Sequence, residues 1–313
     1  MRNYSHKIIL LLTAFLLLCG ISGCQKKTPF DPGPPPKTDP ALAYRFAEEQ
    51  VKLGPRPSGR NEAAQRWLNN RFAETGKVFV EPHTFRENGV AYYNQLAWYP
   101  SKSERFVIVA AHYDTKVLPL APDFQGANDG ASGVAALLAM VHALPEDVDQ
   151  YKLPFGLLFV CFDGEEALRE YSDTDGLHGS RALAEILKKN GQDKNCVAMI
   201  LLDMVGDKNL DVRFPADTTP WLKDLAAQTA VRLGVQKQFA PGGPVMLDDH
   251  VPFQKIGIPV IDLIDFNFGP GNAFWHTAQD SLDKISGESI AASADFAFQL
   301  IWAIARRDRE LSK

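Results

Sequence analysis

The chain has no block of lysine or arginine. Its 33 basic and 38 acidic residues are scattered and leave a formal net charge of -5, so nothing suggests a nucleic-acid groove, and no nucleic-acid partner is expected. It also lacks a bilayer-spanning run at its start, because the apolar stretch from Ile8 to Leu18 falls well short of the ~20 residues a helix needs to cross. Cysteine is scarce. Of four, Cys19 lies inside that N-terminal stretch and Cys24 just beyond it. Cys161 and Cys196 remain, both in apolar runs, and read as buried free thiols with a single disulfide as the alternative. What is present is ordinary for a globular domain: 313 residues, 45% hydrophobic and 23% charged.

Arg2 and Lys7 precede the N-terminal apolar run and small residues follow it up to Gly23, which is the form of a secretory leader. Its end, Ile21-Ser22-Gly23-Cys24, resembles the bacterial lipobox, implying cleavage before Cys24, lipidation there, and a membrane-anchored chain in the bacterial cell envelope facing the periplasm. From Gln25 to Pro40 the composition is polar and proline-rich, as in an extended tether. The expected division is a leader over 1–23, a tether over 24–40 and one α/β domain over 41–313.

Apolar spacing predicts opening helices over Pro40–Leu53 and Asn61–Thr75, then two strands, Lys77–Phe85 and Val90–Trp98, joined through Glu87-Asn88-Gly89 as a hairpin. A repeated pattern follows, in which a short apolar run ends in acidic or histidine residues and, in most cases, a helical stretch comes next. The runs are Phe106–Ala111, Phe155–Phe162, Val197–Leu202 and Ile258–Ile264, with helices over Ser132–Leu144, Gly179–Lys189, Trp221–Leu233 and Ser286–Arg306. The fold class predicted is α/β, a single domain with a central mixed, mostly parallel sheet and helices on both faces. Such sheets bind ligands beyond the carboxyl ends of their strands, where the charged residues of this chain collect.

His112, Asp129, Glu165-Glu166, Asp203 and His276 each sit at a strand end or in a glycine-rich loop. Clustered carboxylates raise one another's pKa unless a cation neutralises them. Oxygen and imidazole donors suit a hard-to-borderline metal, with zinc the leading choice.

Six motifs then occur in family order: Ala111-His112-Tyr113-Asp114, Gly126-Ala127-Asn128-Asp129-Gly130, Phe162-Asp163-Gly164-Glu165-Glu166-Ala167, Leu201-Leu202-Asp203, Asp248-Asp249-His250 and Trp275-His276. From about Ala41 to Ala305 the chain resembles the zinc aminopeptidase and glutaminyl cyclase group. For an aminopeptidase, the resemblance implies two zinc ions, one on His112 and Asp203, one on Glu166 and His276, with Asp129 bridging. For a glutaminyl cyclase it implies one zinc ion on Asp129, Glu166 and His276. These positions do not separate the two activities. The loops at 163–167, 176–181, 248–253 and 275–277 look like the animal-type cyclase versions, which implies conversion of N-terminal glutamine in peptides or proteins to pyroglutamate with release of ammonia. Tyr171 departs from the pattern, standing where similar cyclases usually have tryptophan.

Cyclisation moves a proton from the attacking α-amine to departing ammonia. By resemblance, Glu165 is the expected shuttle, in an acidic cluster with Asp203 and Asp248, and Trp275 is the expected wall for the glutamine side chain. Simpler roles exist for several of these residues. Asp203 can cap the segment after its strand, and Asp248-Asp249-His250 can begin a helix with Pro252 in its first turn. His250 reads as a partner of site residues rather than a ligand, Asp249 as structural, and His83, His142 and His178 as surface or packing residues.

Overall fold

The structure is a computed structural model that describes residues 30–172 and 174–311. The leader, Cys24 and the first part of the tether lie outside the described residues.

Asp39 opens the first helix, α1 (Pro40–Lys52), its carboxylate accepting from the N–H groups of Ala41 and Leu42. After α2 (Glu62–Ala73) come β1 (Phe79–Glu87) and β2 (Val90–Tyr99), joined by Asn88 and Gly89, both at positive φ (50° and 80°), as a tight two-residue hairpin requires. Then follow β3 (Phe106–His112), α3 (Ala131–Ala143), β4 (Gly156–Phe162), α4 (His178–Lys189) and β5 (Cys196–Asp203). The remainder is β6 (Val212–Phe214), α5 (Pro220–Leu233), β7 (Phe239–Pro241), α6 (His250–Lys255), β8 (Val260–Ile264) and α7 (Gly287–Leu311).

The main sheet has the order β1-β2-β4-β3-β5-β8; β4, β3, β5 and β8 pair in parallel, and β2 runs opposite to them, pairing antiparallel with both β1 and β4, so the mixed, mostly parallel α/β expectation holds. Every residue of β3 and β4 is buried, which explains their unbroken apolar sequences. Phe106, Ile108 and Ala110 of β3 and Leu158, Val160 and Phe162 of β4 meet Leu183 and Leu187 of α4 and Phe253 of α6 on one face. The other face receives α3, packed so closely that a methyl at Gly133 would strike Leu202 O and Ala111 Cβ. The chain leaves β3 toward β4 on one side and returns to β5 on the other, so the end of β3 is a switch point where loops diverge and a crevice opens.

Two segments differ from the sequence reading. Residues 33–38, assigned to the tether, are docked on α7: Trp302 Nε1 donates to Gly33 O at 3.0 Å, and Thr38 N and Lys37 Nζ each donate to the Asp295 carboxylate at 2.9 Å. A buried indole N–H needs an acceptor, and this irregular stretch supplies it. Strands β6 and β7, three residues each, form a separate small sheet and are too short to show a period. Cys161 and Cys196 are separate buried thiols. They sit on strands flanking β3, opposite Ala111 and Phe106, at its two ends, too far apart to bridge.

Candidate active site

Four parallel strands deliver their carboxyl ends to one edge. His112 ends β3, Asp203 ends β5, and Asp163-Gly164-Glu165-Glu166 follows β4; Asp129 lies in the loop entering α3, and His276 lies in the loop after β8. His112 Nε2 stands 3.2 Å from both Asp129 Oδ1 and Asp203 Oδ1. His276 Nε2 stands 3.2 Å from Asp129 Oδ2 and 3.1 Å from Glu166 Oε1. Asp129 therefore joins two groups, His112–Asp129–Asp203 and Asp129–Glu166–His276, each with donor atoms within 4.8 Å of one another.

These residues fit a divalent cation. Two imidazoles converge on the buried Asp129 carboxylate, His112 at Oδ1 and His276 at Oδ2, with Asp203 and Glu166 alongside, a donor set of oxygen and nitrogen atoms that suits such an ion. Burial works against charge on His276 and Asp129, yet Asp129 and Glu166 lift His276 to about 10, and His112 and His276 together hold Asp129 below the ordinary carboxylate range. A cation at this point would take over the neutralising role of the histidine charge.

The surrounding backbone is fixed by buried acids. Asp280 accepts from the N–H groups of Asn128 (2.7 Å) and Asp129 (3.0 Å), tying the two loops that carry Asp129 and His276. Asp114 accepts from the N–H groups of Glu165 and Glu166, both at 3.1 Å. Arg56 is 1% exposed and donates to Tyr113 O, Gln125 O and Gly126 O, bracing the loop ahead of Asp129. His276 itself adopts φ 52°, a left-handed conformation costly for a side-chain-bearing residue, and Trp275 stacks on its ring at 4.0 Å with Phe266 edge-on behind.

Glu165 is buried among other acids, sharing the Tyr171 hydroxyl with the expected ligand Glu166. Burial and Glu166 push its carboxyl well above the ordinary range, with lesser contributions from Asp248 and Asp249 and with His112 opposing. Burial raises Asp203 to about 7, with Asp248 adding to it and the His112 hydrogen bond opposing. Asp249 and Asp262 are raised by burial and by Asp248. This wall can store a proton and give it up. Tyr171 closes it: its hydroxyl, with one proton to give, lies 2.9 Å from Glu165 Oε1, 3.1 Å from Glu165 Oε2 and 3.3 Å from Glu166 Oε2. The residue that departs from the cyclase pattern is thus a hydrogen-bond donor to the expected shuttle.

His112, Asp129, Glu165, Glu166, Asp203 and His276 come together here, Trp275 stacks on His276, and Asp248 is a charged neighbour of Glu165 and Asp203; Cys24 lies outside the described residues. Several others were not anticipated. Lys116 Nζ lies 3.4 Å from Glu166 Oε2 and over the Tyr171 ring. Asp262 sits in β8 with both carboxylate oxygens buried and undonated, 3.8 Å from His250 Nδ1; a lone aspartate inside the apolar run Val260–Ile264 was the available signal. Asp249, taken as merely structural, is fully buried in the acidic wall, and its side chain makes no cap bond to α6. His250 is a partner of acids as expected, with Nε2 3.2 Å from Asp217 Oδ2. His178 is more than packing: it stacks on Tyr92, bonds Glu87 at 2.6 Å through Nδ1 and accepts from Gly176 N, anchoring the loop that carries Tyr171.

The profile of peptidase family M28 matches residues 94–301. A glutaminyl-peptide cyclotransferase-like protein of Mus musculus is 34% identical over 212 residues, 60% of this chain and 54% of its own. The chain thus spans about half the length of that curated relative. Among solved structures, an Acidobacteriales bacterium glutaminyl cyclase superposes with a TM-score of 0.76 at 30% identity, over 92% of this chain and 100% of that one. A leucine aminopeptidase precursor from Bacteroides thetaiotaomicron superposes at 0.71 and 26% identity, over 85% and 98%.

Proposed function

We propose, from the premise that this chain belongs to peptidase family M28, that it is a glutaminyl-peptide cyclotransferase, closing the N-terminal glutamine of peptides or proteins into pyroglutamate and releasing ammonia. The observation that carries this reading is the wall of carboxyls beside the ligand groups, in which Glu165 and Asp203 are held above the ordinary carboxylate range chiefly by burial and Asp248 is buried alongside them. The full-length likeness to a solved glutaminyl cyclase supports it.

In this reading Asp129, Glu166 and His276 hold one zinc ion. When bound, zinc supplies Lewis-acid polarisation of the substrate's γ-carbonyl. The chain's own residues do the rest. Glu165 takes a proton from the α-amine as its nitrogen attacks the γ-carbon, and returns it to the amide nitrogen as the C–N bond breaks, so that ammonia leaves. Burial and Glu166, with Asp248 adding to them, hold that carboxyl well above the ordinary range, Asp203 is the second raised carboxyl of the wall, and Tyr171 orients Glu165. Trp275, held flat on His276, lines the pocket for the glutamine side chain and helps exclude the water that would hydrolyse it. The lipobox-like sequence supports anchoring of the chain through Cys24 to a bacterial membrane, facing the periplasm.

His112, Asp129 and Asp203 form the second ligand group a two-zinc aminopeptidase would use, and this is the alternative. Mass spectrometry of a Gln-initiated peptide, with zinc counted on the same sample, separates them. Loss of ammonia from the intact peptide with one zinc ion per chain is expected. A free amino acid, a shortened peptide and two zinc ions would overturn the cyclase.

A further inference from the structure

An open groove of about 800 Å³ runs between α4 and α6. Its floor is apolar, with Leu177, Ala184, Val251, Pro252 and Ile256, and Leu247 at one end is 54% exposed. Its rim carries Arg181, Lys188, Lys189 and Lys255 against a single acid, Glu185, in a chain whose net charge is -5. Arg181 is engaged with Glu87 and Lys188 with Asp193. Among the described residues, Lys189 and Lys255 are exposed and have no ion-pair partner, so their charge at the groove is uncompensated.

The groove begins at the candidate site. Leu177 N–H donates to Glu165 O at 2.9 Å, Ser172 in its lining follows Tyr171, and Leu247 precedes Asp248. From there α4 leads away from the site for 12 residues, about 18 Å at 1.5 Å per residue. An extended peptide covers that length in about five residues.

We propose that this groove binds the stretch of substrate that follows the reacting N-terminal residue, and that it selects stretches carrying acidic side chains about four to six positions downstream. This rests on the cyclase reading. Apolar substrate side chains would settle on Leu177, Val251 and Pro252, while Lys189 and Lys255 at the far end would pair with carboxylates. Because these contacts are remote from the reacting atoms and equally present before and during reaction, they should act on KM rather than kcat.

The test measures ammonia release from three substrates: a Gln-Ala dipeptide amide and two Gln-initiated heptapeptides identical except for paired aspartates or paired lysines at positions five and six. The acidic heptapeptide should show kcat/KM about 10-fold above the basic one, residing in KM, at about 20 mM salt, and the gap should shrink at about 300 mM. The double variant K189E/K255E should abolish or invert that preference while turning over the dipeptide as the parent chain does. Equal kcat/KM for the two heptapeptides, or a preference that survives K189E/K255E, overturns the groove while leaving the cyclase standing. Release of no ammonia from any of the three substrates overturns both.

Discussion

At Glu165 three parts of the molecule meet: Asp114 accepts its N–H, Leu177 donates to its carbonyl, and Tyr171 donates to its carboxylate. A side chain held this way can change protonation without changing place. Glu165→Gln keeps the shape and removes the titration, so ammonia release from a Gln-peptide should fall by about 100-fold or more while zinc content and Tm stay near those of the parent. Tyr171→Phe leaves the ring but strips the donor from two buried carboxylates; steady-state kinetics should show kcat reduced about 10-fold with a smaller change in KM. The residues that sequence reading singled out were those in motifs, where several chemical types recur at like positions. Arg56, Lys116 and Asp280 were invisible because each is an isolated charge in a loop, and only the folded chain shows Arg56 bracing the turn before Asp129 or Asp280 joining two loops.

The elements that were legible are those whose apolar pattern is long. The runs predicted over Phe106–Ala111 and Phe155–Phe162 are β3 and β4 to within a residue, because both faces of each strand are covered and polarity is excluded throughout. Strands β6 and β7 left no comparable trace, since three residues do not define a period. Helix α3 shows what packing at this level requires. Eleven of its thirteen residues are buried, and Gly133 is the point of closest approach to the sheet. Gly133→Ala should therefore destabilise the domain by about 3 kcal/mol despite the better helix propensity of alanine. Thermal unfolding should show a Tm lower by about 5 °C.

Across the whole molecule, buried acids leave a signature in the pH dependence of stability. Away from the ligand groups, burial and Asp114 raise Asp163 from 3.8 to about 7, and burial raises Asp265 from 3.8 to about 6. Both hold their protons more tightly when folded. Their contribution to stability is thus full below the unfolded pKa and is lost as pH rises through about 6 and then about 7. Unfolding scans should give a Tm at about pH 5.5 some ~5 °C above that at about pH 8, and Asp163→Asn should narrow the gap.

The clasp made by Asp280 on Asn128 and Asp129 has a further consequence at this scale. It is a bond between backbone and buried side chain that owes nothing to a cation, and with Asp114 it holds all three expected ligand segments in register. Loading of the ion is then a docking step into a standing socket rather than a folding step. Chelated protein should keep its near-UV circular dichroism and recover turnover within the mixing time once zinc is restored, whereas Asp280→Ala should recover slowly or incompletely, because in that variant the socket must assemble each time it is filled.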